Sequence, residues 1–293
     1  MQPDFDKKRV AAGFDQAAND YDAHAVLQRT VVERLVERLD LVTIRPGRIL
    51  DIGSGTGEGA RLLADKYRYA DLLQLDLSPE MLKVSRAKRR GFLQGLFSRQ
   101  SYLAGDAEYL PVSNAAVDLV FSSLTLQWCN DLDRAFTETT RVLRPGGLFM
   151  FATLGPDTLT ELRQSWMAAD DRIHVNRFLD MHDIGDALVR AGMESVVMDV
   201  ETITLTYDEC RQLMRDLKTL GAQNRNPERS SGLTGKKQLE KVICAYEEFR
   251  QDGKLPATYE IVYGHGWLPA AGITKKQGGT AYVPIENLRR GKD

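Results

Sequence analysis

The chain has 293 residues, and its composition and charge exclude several classes of protein. Apolar residues make up 43% and charged residues 27%, the balance of an ordinary globular chain, and a formal net charge of −2 gives no overall attraction to nucleic acid or anionic membrane. No stretch approaches the ~20 apolar residues of a membrane span, and the charged N-terminus lacks the apolar region of a signal peptide. The three scattered cysteines predict neither a disulfide framework nor structural zinc, and they favour a reducing, cytoplasmic location.

The predicted elements begin with two amphipathic helices, over residues 7–22 and 24–40. Short apolar strands then alternate with helices. The predicted strands are 48–52, 72–75, 101–104, 117–122, 148–153, 194–206 and 258–263, and the helices among them are 58–68, 79–90, 131–143 and 181–192. Because strands that alternate with helices form βαβ units, the chain is predicted to be an α/β protein with a doubly wound, mainly parallel seven-stranded sheet.

A helical insertion over residues 207–253 is predicted before the last strand. Two helices there carry apolar side chains at the i, i+3, i+4, i+7 spacing of one buried face. These side chains are Cys210, Leu213, Met214, Leu217 and Leu220 in the first helix, and Leu239, Val242, Ile243, Tyr246 and Phe249 in the second. The tail from Lys275 is polar, and within it Ala281–Leu288 is predicted to add an edge strand.

A glycine-rich turn follows the first strand, in the segment Ile-Leu-Asp-Ile-Gly-Ser-Gly-Thr-Gly at residues 49–57. Its glycines allow a sharp turn and leave room for a ligand against bare backbone. The spacing is GxGxG rather than the GxGxxG of dinucleotide folds, and Asp51 precedes the turn. This pattern suits a cofactor with a cationic amino-acid tail rather than a pyrophosphate.

Further acids follow the next strands in order. Asp76 closes the second strand, where a carboxylate can accept both hydrogen bonds of a ribose diol, and Asp106 with Ala107 follows the third. The fourth strand leads into Gln127 and Trp128 at the same edge. Open α/β sheets bind ligands at this edge, which favours one shared site. The alternative is that Asp76 and Asp106 serve only as helix caps or turn acids.

Residues 45–155 resemble the class I S-adenosylmethionine methyltransferases. The resemblance implies S-adenosyl-L-methionine as cofactor, with the glycine loop on its methionine portion, the second acid on its ribose and the Asp-Ala pair beside adenine. The cofactor-binding residues that it implies are Asp51, Gly53, Ser54, Gly55, Gly57, Asp76, Leu77, Asp106, Ala107 and Ser123.

Segments outside this cofactor-binding region indicate which group of methyltransferases the chain resembles. Residues 14–24 look like the lid of small-molecule methyltransferases, and residues 155–163, 180–185 and 255–267 resemble the malonyl-acyl carrier protein O-methyltransferases of biotin synthesis. The implied organisation is a helical lid (1–44), a cofactor-binding core (45–206), the insertion (207–253), the last core strand (254–274) and a polar tail (275–293). Two alternatives stay open: another small-molecule methyltransferase, and a protein hydroxylase or assembly factor of the respiratory complex I type.

The resemblance implies methyl transfer to the free carboxylate of a malonyl thioester on acyl carrier protein. The sequence shows no metal-ligand spacing, nucleic-acid module or apolar span, so no metal, nucleic acid or membrane partner is expected. A carboxylate of pKa ~4 is ionised at neutral pH and needs no general base. Its desolvation calls for a cation or hydrogen-bond donor. The candidates for the methyl-transfer pocket and for this partner are Tyr21, Gln127, Trp128, Arg163, His174, Arg177 and His182. The alternative for each is a solvated helix charge, a capping residue or simple packing.

Two basic clusters are candidates for docking an acidic carrier protein. One is a stripe at helical spacing, Arg211, Arg215 and Lys218, and the other is Arg86, Lys88, Arg89 and Arg90. Both are equally well explained as solvated helix faces.

Overall fold

The computed structural model describes residues 5–88, 99–170, 172–220 and 235–270, and the backbone of 276–277 and 280–281. Its centre is a seven-stranded sheet in the order β3-β2-β1-β4-β5-β7-β6. The strands are β1 Arg48–Ile52, β2 Asp71–Asp76, β3 Gln100–Ala104, β4 Val117–Ser123, β5 Leu143–Leu154, β6 Glu194–Tyr207 and β7 Leu255–Trp267. Strand β7 runs antiparallel to both of its neighbours, β5 and β6, and the other pairs are parallel, which confirms the predicted mainly parallel, doubly wound sheet.

The two central strands fix where a ligand can enter. Leu50 in β1 and Val120 in β4 are completely buried, as expected of parallel strands covered by helices on both faces. Strand β1 pairs with β2 on one side and with β4 on the other, so the chain winds away in two directions from this point. The carboxyl ends of β1 and β4 therefore border the crevice in which open α/β sheets bind ligands.

Helices cover both faces of the sheet. They are α1 Lys7–Ala17, α2 Tyr21–His24, α3 Val26–Arg38, α4 Glu58–Lys66, α5 Pro79–Ala87, α6 Leu132–Val142, α7 Thr160–Met167, α8 Met181–Arg190, α9 Cys210–Thr219 and α10 Lys236–Glu247. Leu35 of α3 and Tyr246 of α10 anchor one core, and Phe136 of α6 and Leu188 of α8 anchor the other. Within the described residues, no helix is long and apolar enough to cross a membrane.

The N-terminal helices differ from their predicted bounds. The helix predicted over 7–22 is divided into α1 and α2 by a turn, in which the Asp20 amide donates to the Ala17 carbonyl at 3.0 Å. Asn19 and Asp20 favour turns because their short polar side chains compete with helical hydrogen bonds, so the apolar periodicity alone was misleading. The helix predicted over 24–40 is α3, followed by a 3-10 turn at Leu39–Leu41.

The later strands are longer than predicted, since pairing rather than apolar content sets their ends. Strand β7 pairs with β6 from Leu255 to Trp267, beyond the predicted 258–263. Helices α9 and α10 lie between β6 and β7, where the insertion was predicted, while the division of the whole chain into lid, core and insertion stays a prediction. The predicted edge strand Ala281–Leu288 lies outside the described residues except Ala281, which pairs within a separate two-stranded ladder (β8 Lys276–Gln277, β9 Thr280–Ala281).

Candidate functional site

A cavity of about 380 Å³ opens at the carboxyl ends of β1, β2 and β4, beneath helices α1–α3. Every residue expected to bind the cofactor lines this cavity except Gly57. The lining members are Asp51, Gly53, Ser54, Gly55, Asp76, Leu77, Asp106, Ala107 and Ser123. The structure therefore brings together side chains from four separate strand ends, as the order of motifs predicted.

Two glycines of the loop lie so close to neighbouring side chains that a residue with a Cβ atom would collide with them. A Cβ on Gly53 would lie 1.8 Å from the Oγ1 atom of Thr125, and one on Gly57 would lie 2.2 Å from the Oγ atom of Ser85. Both glycines have positive φ, which side chains disfavour. Gly57 thus holds α4 against α5 and shapes the loop from outside the cavity lining.

Asp51 is the most unusual charge in the cavity. Its side chain is 2% exposed and its Oδ2 atom has no hydrogen-bond partner among the described residues. Burial, with a further contribution from the charge of Asp76, raises the pKa of Asp51 to about 8. A buried carboxyl oxygen without a donor fits the ammonium group of an S-adenosylmethionine tail, which would supply both the hydrogen bond and the opposite charge.

Asp76 combines a turn role with a ligand position. Its Oδ1 atom accepts from the Ser78 amide and its Oδ2 atom accepts from the Gly55 amide, both at 2.8 Å. Burial raises the pKa of Asp76 to about 6, although these backbone donors act to lower it. Each carboxylate oxygen has a second acceptor position. The interpretation as a turn acid is therefore correct but incomplete, because the remaining positions are available to a ribose diol.

Asp106 likewise serves a turn and lines the cavity. Its Oδ1 atom accepts from the Glu108 amide and from the Lys7 ammonium group, each at 3.1 Å. Lys7 also reaches Glu108 at 2.7 Å, so the first helix is held against the third strand's loop.

The N-terminal helices are fastened over the cavity by polar contacts to successive loops. Besides the Lys7 contacts, the Asp15 carboxylate accepts from the Ser78 hydroxyl at 2.5 Å, and the Asp22 carboxylate accepts from the Thr56 hydroxyl at 2.6 Å. The Phe14 ring meets Trp128 edge to face, with centroids 5.6 Å apart. This arrangement places the N-terminal helices over the cavity.

A second, smaller cavity of about 80 Å³ lies beside the first. The two share five lining residues, Phe14, Tyr21, Gln28, Leu124 and Trp128. Its far wall comes from the end of β6 and from α9, through residues such as Tyr207 and Leu217. Tyr21 and Trp128, predicted for the methyl-transfer pocket, therefore lie at the junction of the two cavities.

Gln127 also lines the second cavity, and its amide is already engaged. The Nε2 atom donates to the Leu124 carbonyl at 2.8 Å, and the Oε1 atom accepts from the Thr153 hydroxyl at 3.3 Å. Gln127 is thus a fixed wall of the pocket.

None of the four cationic candidates lines either of these cavities. The Arg163 guanidinium donates to the Pro156 and Thr158 carbonyls, both at 2.8 Å, and so clamps a turn. His182, whose side chain is 79% exposed, pairs with the N-cap residue Asp180 of α8.

The other two candidates also lie elsewhere. His174 stacks on the Trp166 ring at a centroid distance of 3.6 Å and contacts the Asp170 carboxylate at 2.8 Å. Arg177 is exposed and lines a separate small pocket together with Phe178. Polar residues that the sequence analysis missed, His24, Gln28, Asn176 and Asp216, occupy the second cavity instead. His24 lies in the lid-like segment 14–24, but no sequence signal groups the four residues, since they come from three separate segments.

The first basic cluster is exposed as its spacing predicted. Arg211, Arg215 and Lys218 lie on the outer face of α9, while Leu213 on the opposite face is completely buried. Of the second cluster, Lys88 forms an ion pair with Asp22 of the N-terminal helices. Arg89 and Arg90 lie outside the described residues.

The fold and the cofactor cavity define a class I S-adenosylmethionine-dependent methyltransferase. A family description termed methyltransferase domain matches residues 50–151, the segment that carries the glycine loop and the following acids. The YcgJ protein of Bacillus subtilis has the same fold, with a TM-score of 0.56 and 16% identity over 83% of this chain and 99% of its own. Among the described residues, no group of three or more His, Cys, Asp or Glu side chains is arranged to hold a metal ion.

Two relatives match over nearly the whole chain. The malonyl-[acyl-carrier protein] O-methyltransferase of Laribacter hongkongensis is 54% identical over 274 residues, 92% of each chain. That of Methylovorus sp. is 51% identical over 275 residues, 93% of each chain. The chain belongs to the malonyl-[acyl-carrier protein] O-methyltransferase family.

Proposed function

We propose that the protein transfers the methyl group of S-adenosylmethionine to the free carboxylate of a malonyl thioester on acyl carrier protein. The product is the malonyl methyl ester. The observation that carries this proposal is the pair of adjacent cavities, one fitting the cofactor and the other sharing the wall residues Tyr21 and Trp128 with it. The names of the relatives support the substrate.

The reaction needs positioning more than acid–base chemistry. A bound S-adenosylmethionine supplies an electrophilic methyl group on a sulfonium, and the substrate carboxylate is ionised at neutral pH. The task of the chain is to align the two reactants and to exclude water. The cover formed by α1 and α2 and the fixed wall at Gln127 suit that task, and the Tyr21 and Trp128 rings offer aromatic faces near a sulfonium cation.

The exposed cations of α9 are proposed to dock the carrier protein. Leu217 of this helix lines the second cavity, so Arg211, Arg215 and Lys218 lie on the same short helix as part of the pocket wall. A basic rim steers an acidic partner and sets its orientation. This placement would bring the acyl arm of an acidic carrier to the cavity mouth.

We also propose that the methyl ester begins pimeloyl chain synthesis for biotin, and that the enzyme works in the cytoplasm. The resemblance of residues 155–163, 180–185 and 255–267 supports the pathway. Free Cys129, Cys210 and Cys244 suit a reducing compartment.

Release of S-adenosylhomocysteine tests the proposal. Purified protein with S-adenosylmethionine should release it when malonyl-acyl carrier protein is added, and not when acetyl-acyl carrier protein, which lacks the free carboxylate, is added. Release that ignores the carboxylate would point to a different methyl acceptor. A protein that binds the cofactor and never turns it over would instead favour an assembly or hydroxylase role on the same fold.

A further inference from the structure

The side-chain amides of two residues near the methyl-transfer junction each have a buried oxygen atom without a hydrogen bond. The Oε1 atom of Gln28 and the Oδ1 atom of Asn176 are both buried without a partner among the described residues. Buried polar atoms are nearly always paired, because leaving one unpaired costs the whole desolvation free energy of the group. Unpaired amides in a cavity wall therefore indicate where a ligand's polar group binds.

The positions of the two amides agree with that interpretation. Gln28, on α3, lines both the cofactor cavity and the second cavity, so it lies at their junction. Asn176, between α7 and α8, lines the second cavity and is only 7% exposed. Two segments far apart in the chain thus present amides to one small cavity.

Most of the other polar groups in this wall already have partners. The His24 ring contacts the Asp216 carboxylate at 3.0 Å, and the Thr158 hydroxyl donates to the Glu260 carbonyl at 3.2 Å. The Gln127 amide is engaged as described, and Tyr207 and Tyr259 share a side-chain hydrogen bond. Among the described lining residues, the two amides, the Tyr21 hydroxyl and the Trp128 indole N–H remain available to a ligand.

We propose that the amides of Gln28 and Asn176 bind the carboxylate of the acyl substrate and set the preference for a free acid. This inference rests on the proposed function. The oxygen and nitrogen of an amide exchange places by a half-turn of the group, so each side chain can present N–H donors where the unpaired oxygen lies. The pair then supplies the hydrogen-bonding partner that desolvation of the carboxylate requires, in place of the cations expected from the sequence.

Neutral donors also suit the chemistry. A carboxylate oxygen uses a lone pair to form the new O–CH₃ bond while the S–CH₃ bond breaks and its electron pair returns to sulfur. No proton moves in this step. A close guanidinium would form a strong ion pair with the attacking anion, whereas neutral amides orient it with weaker hydrogen bonds and leave the carboxylate charge to pair with the sulfonium.

The test compares two carrier-bound ligands that differ in the carboxylate. Gln28→Met and Asn176→Leu keep side-chain size and remove the donors. With S-adenosylhomocysteine bound, each should weaken malonyl-acyl carrier protein about 10- to 100-fold, the effect of one hydrogen bond to a charged group. Binding of acetyl-acyl carrier protein should not change. Gln28→Glu, which sets a second carboxylate against the first, should weaken the malonyl ligand further.

Matched controls separate binding from structure. Gln164→Met removes an exposed amide on α7 and should match the wild type with both ligands. Suppose that the wild type forms the ester. The inference is then overturned if the Gln28 and Asn176 variants bind the malonyl and acetyl ligands equally more weakly, or if their binding does not change at all. A wild type that neither prefers the malonyl ligand nor forms the ester would overturn the proposed function, and the inference with it. Melting temperatures identify variants that no longer fold. If Gln28→Met is one of them, Gln28→Glu is the second test at that position.

Discussion

Replacing Asp51 by asparagine tests the electrostatics of the cofactor cavity, because it removes the ionisable group and keeps the shape. Burial, with a contribution from Asp76, raises the pKa of Asp51 from 3.8 to about 8. In the unfolded chain the carboxyl ionises near pH 4, whereas in the folded, ligand-free protein it keeps its proton up to about pH 8. The folded state therefore binds more protons in this window, and its stability falls as pH rises from about 4 to about 8.

The size of the effect follows from the shift. Each pH unit in that window lowers the free energy of unfolding by up to about 1.4 kcal/mol, so the loss at pH 8 is at most about 5 kcal/mol. The carboxamide of the Asp51→Asn variant does not titrate, so the variant avoids the loss. Water that enters the open cavity reduces this loss. At pH 8 we therefore expect Asp51→Asn to raise the free energy of unfolding, relative to the wild type, by at least about 2 kcal/mol.

The assay is urea unfolding of the ligand-free proteins at pH 5 and pH 8. The difference in unfolding free energy between the variant and the wild type should grow with pH, which also separates Asp51 from other titrating groups. Cofactor binding gives an independent readout. Binding of the ammonium tail should release a proton from wild-type Asp51 near pH 7 and none from the variant, as seen by calorimetry in two buffers of different ionisation enthalpy. An unchanged pH dependence of stability in the variant would refute the reasoning.

Further predictions concern the ribose acid, the metal and the carrier. Asp76→Ala should weaken S-adenosylmethionine binding by about 2–4 kcal/mol through the loss of a charged acceptor, and an unchanged calorimetric dissociation constant would remove Asp76 from the site. Dialysis against a chelator should leave methyl transfer intact, whereas a loss restored by zinc or magnesium would show a metal requirement. Reversal of Arg211, Arg215 and Lys218 to Glu should raise KM for malonyl-acyl carrier protein, less so at high salt, and leave turnover of malonyl-coenzyme A nearly unchanged. If both substrates lose activity together, the helix is structural.

The cofactor half of the site was predictable because it follows local rules. A buried strand ending in Asp51, a turn that requires Gly53 and an acid at the end of the next strand are each visible within a few residues. Parallel strands bring their carboxyl ends to one edge, so the order of the motifs along the chain becomes proximity in space.

The second cavity was not predictable, because it does not follow such local rules. The second cavity combines α3, the segment around Asn176, the end of β6 and α9, and no periodicity relates these segments. Arg163 carried a charge that suited a carboxylate, but its side chain clamps the turn at Pro156. Charge alone selected side chains that line neither cavity, and only the packing shows which polar groups lie in the cavity walls.

Mass spectrometry of the acyl group tests the central claim most directly. Malonyl-acyl carrier protein is incubated with the enzyme and S-adenosylmethionine, and the acyl arm is then released and fragmented. The proposed function predicts a gain of one methyl group, placed on the terminal carboxylate oxygen and removed again by mild alkaline hydrolysis of the ester. An unmodified malonyl group beside cofactor turnover, or a methyl group on carbon that resists hydrolysis, would contradict it.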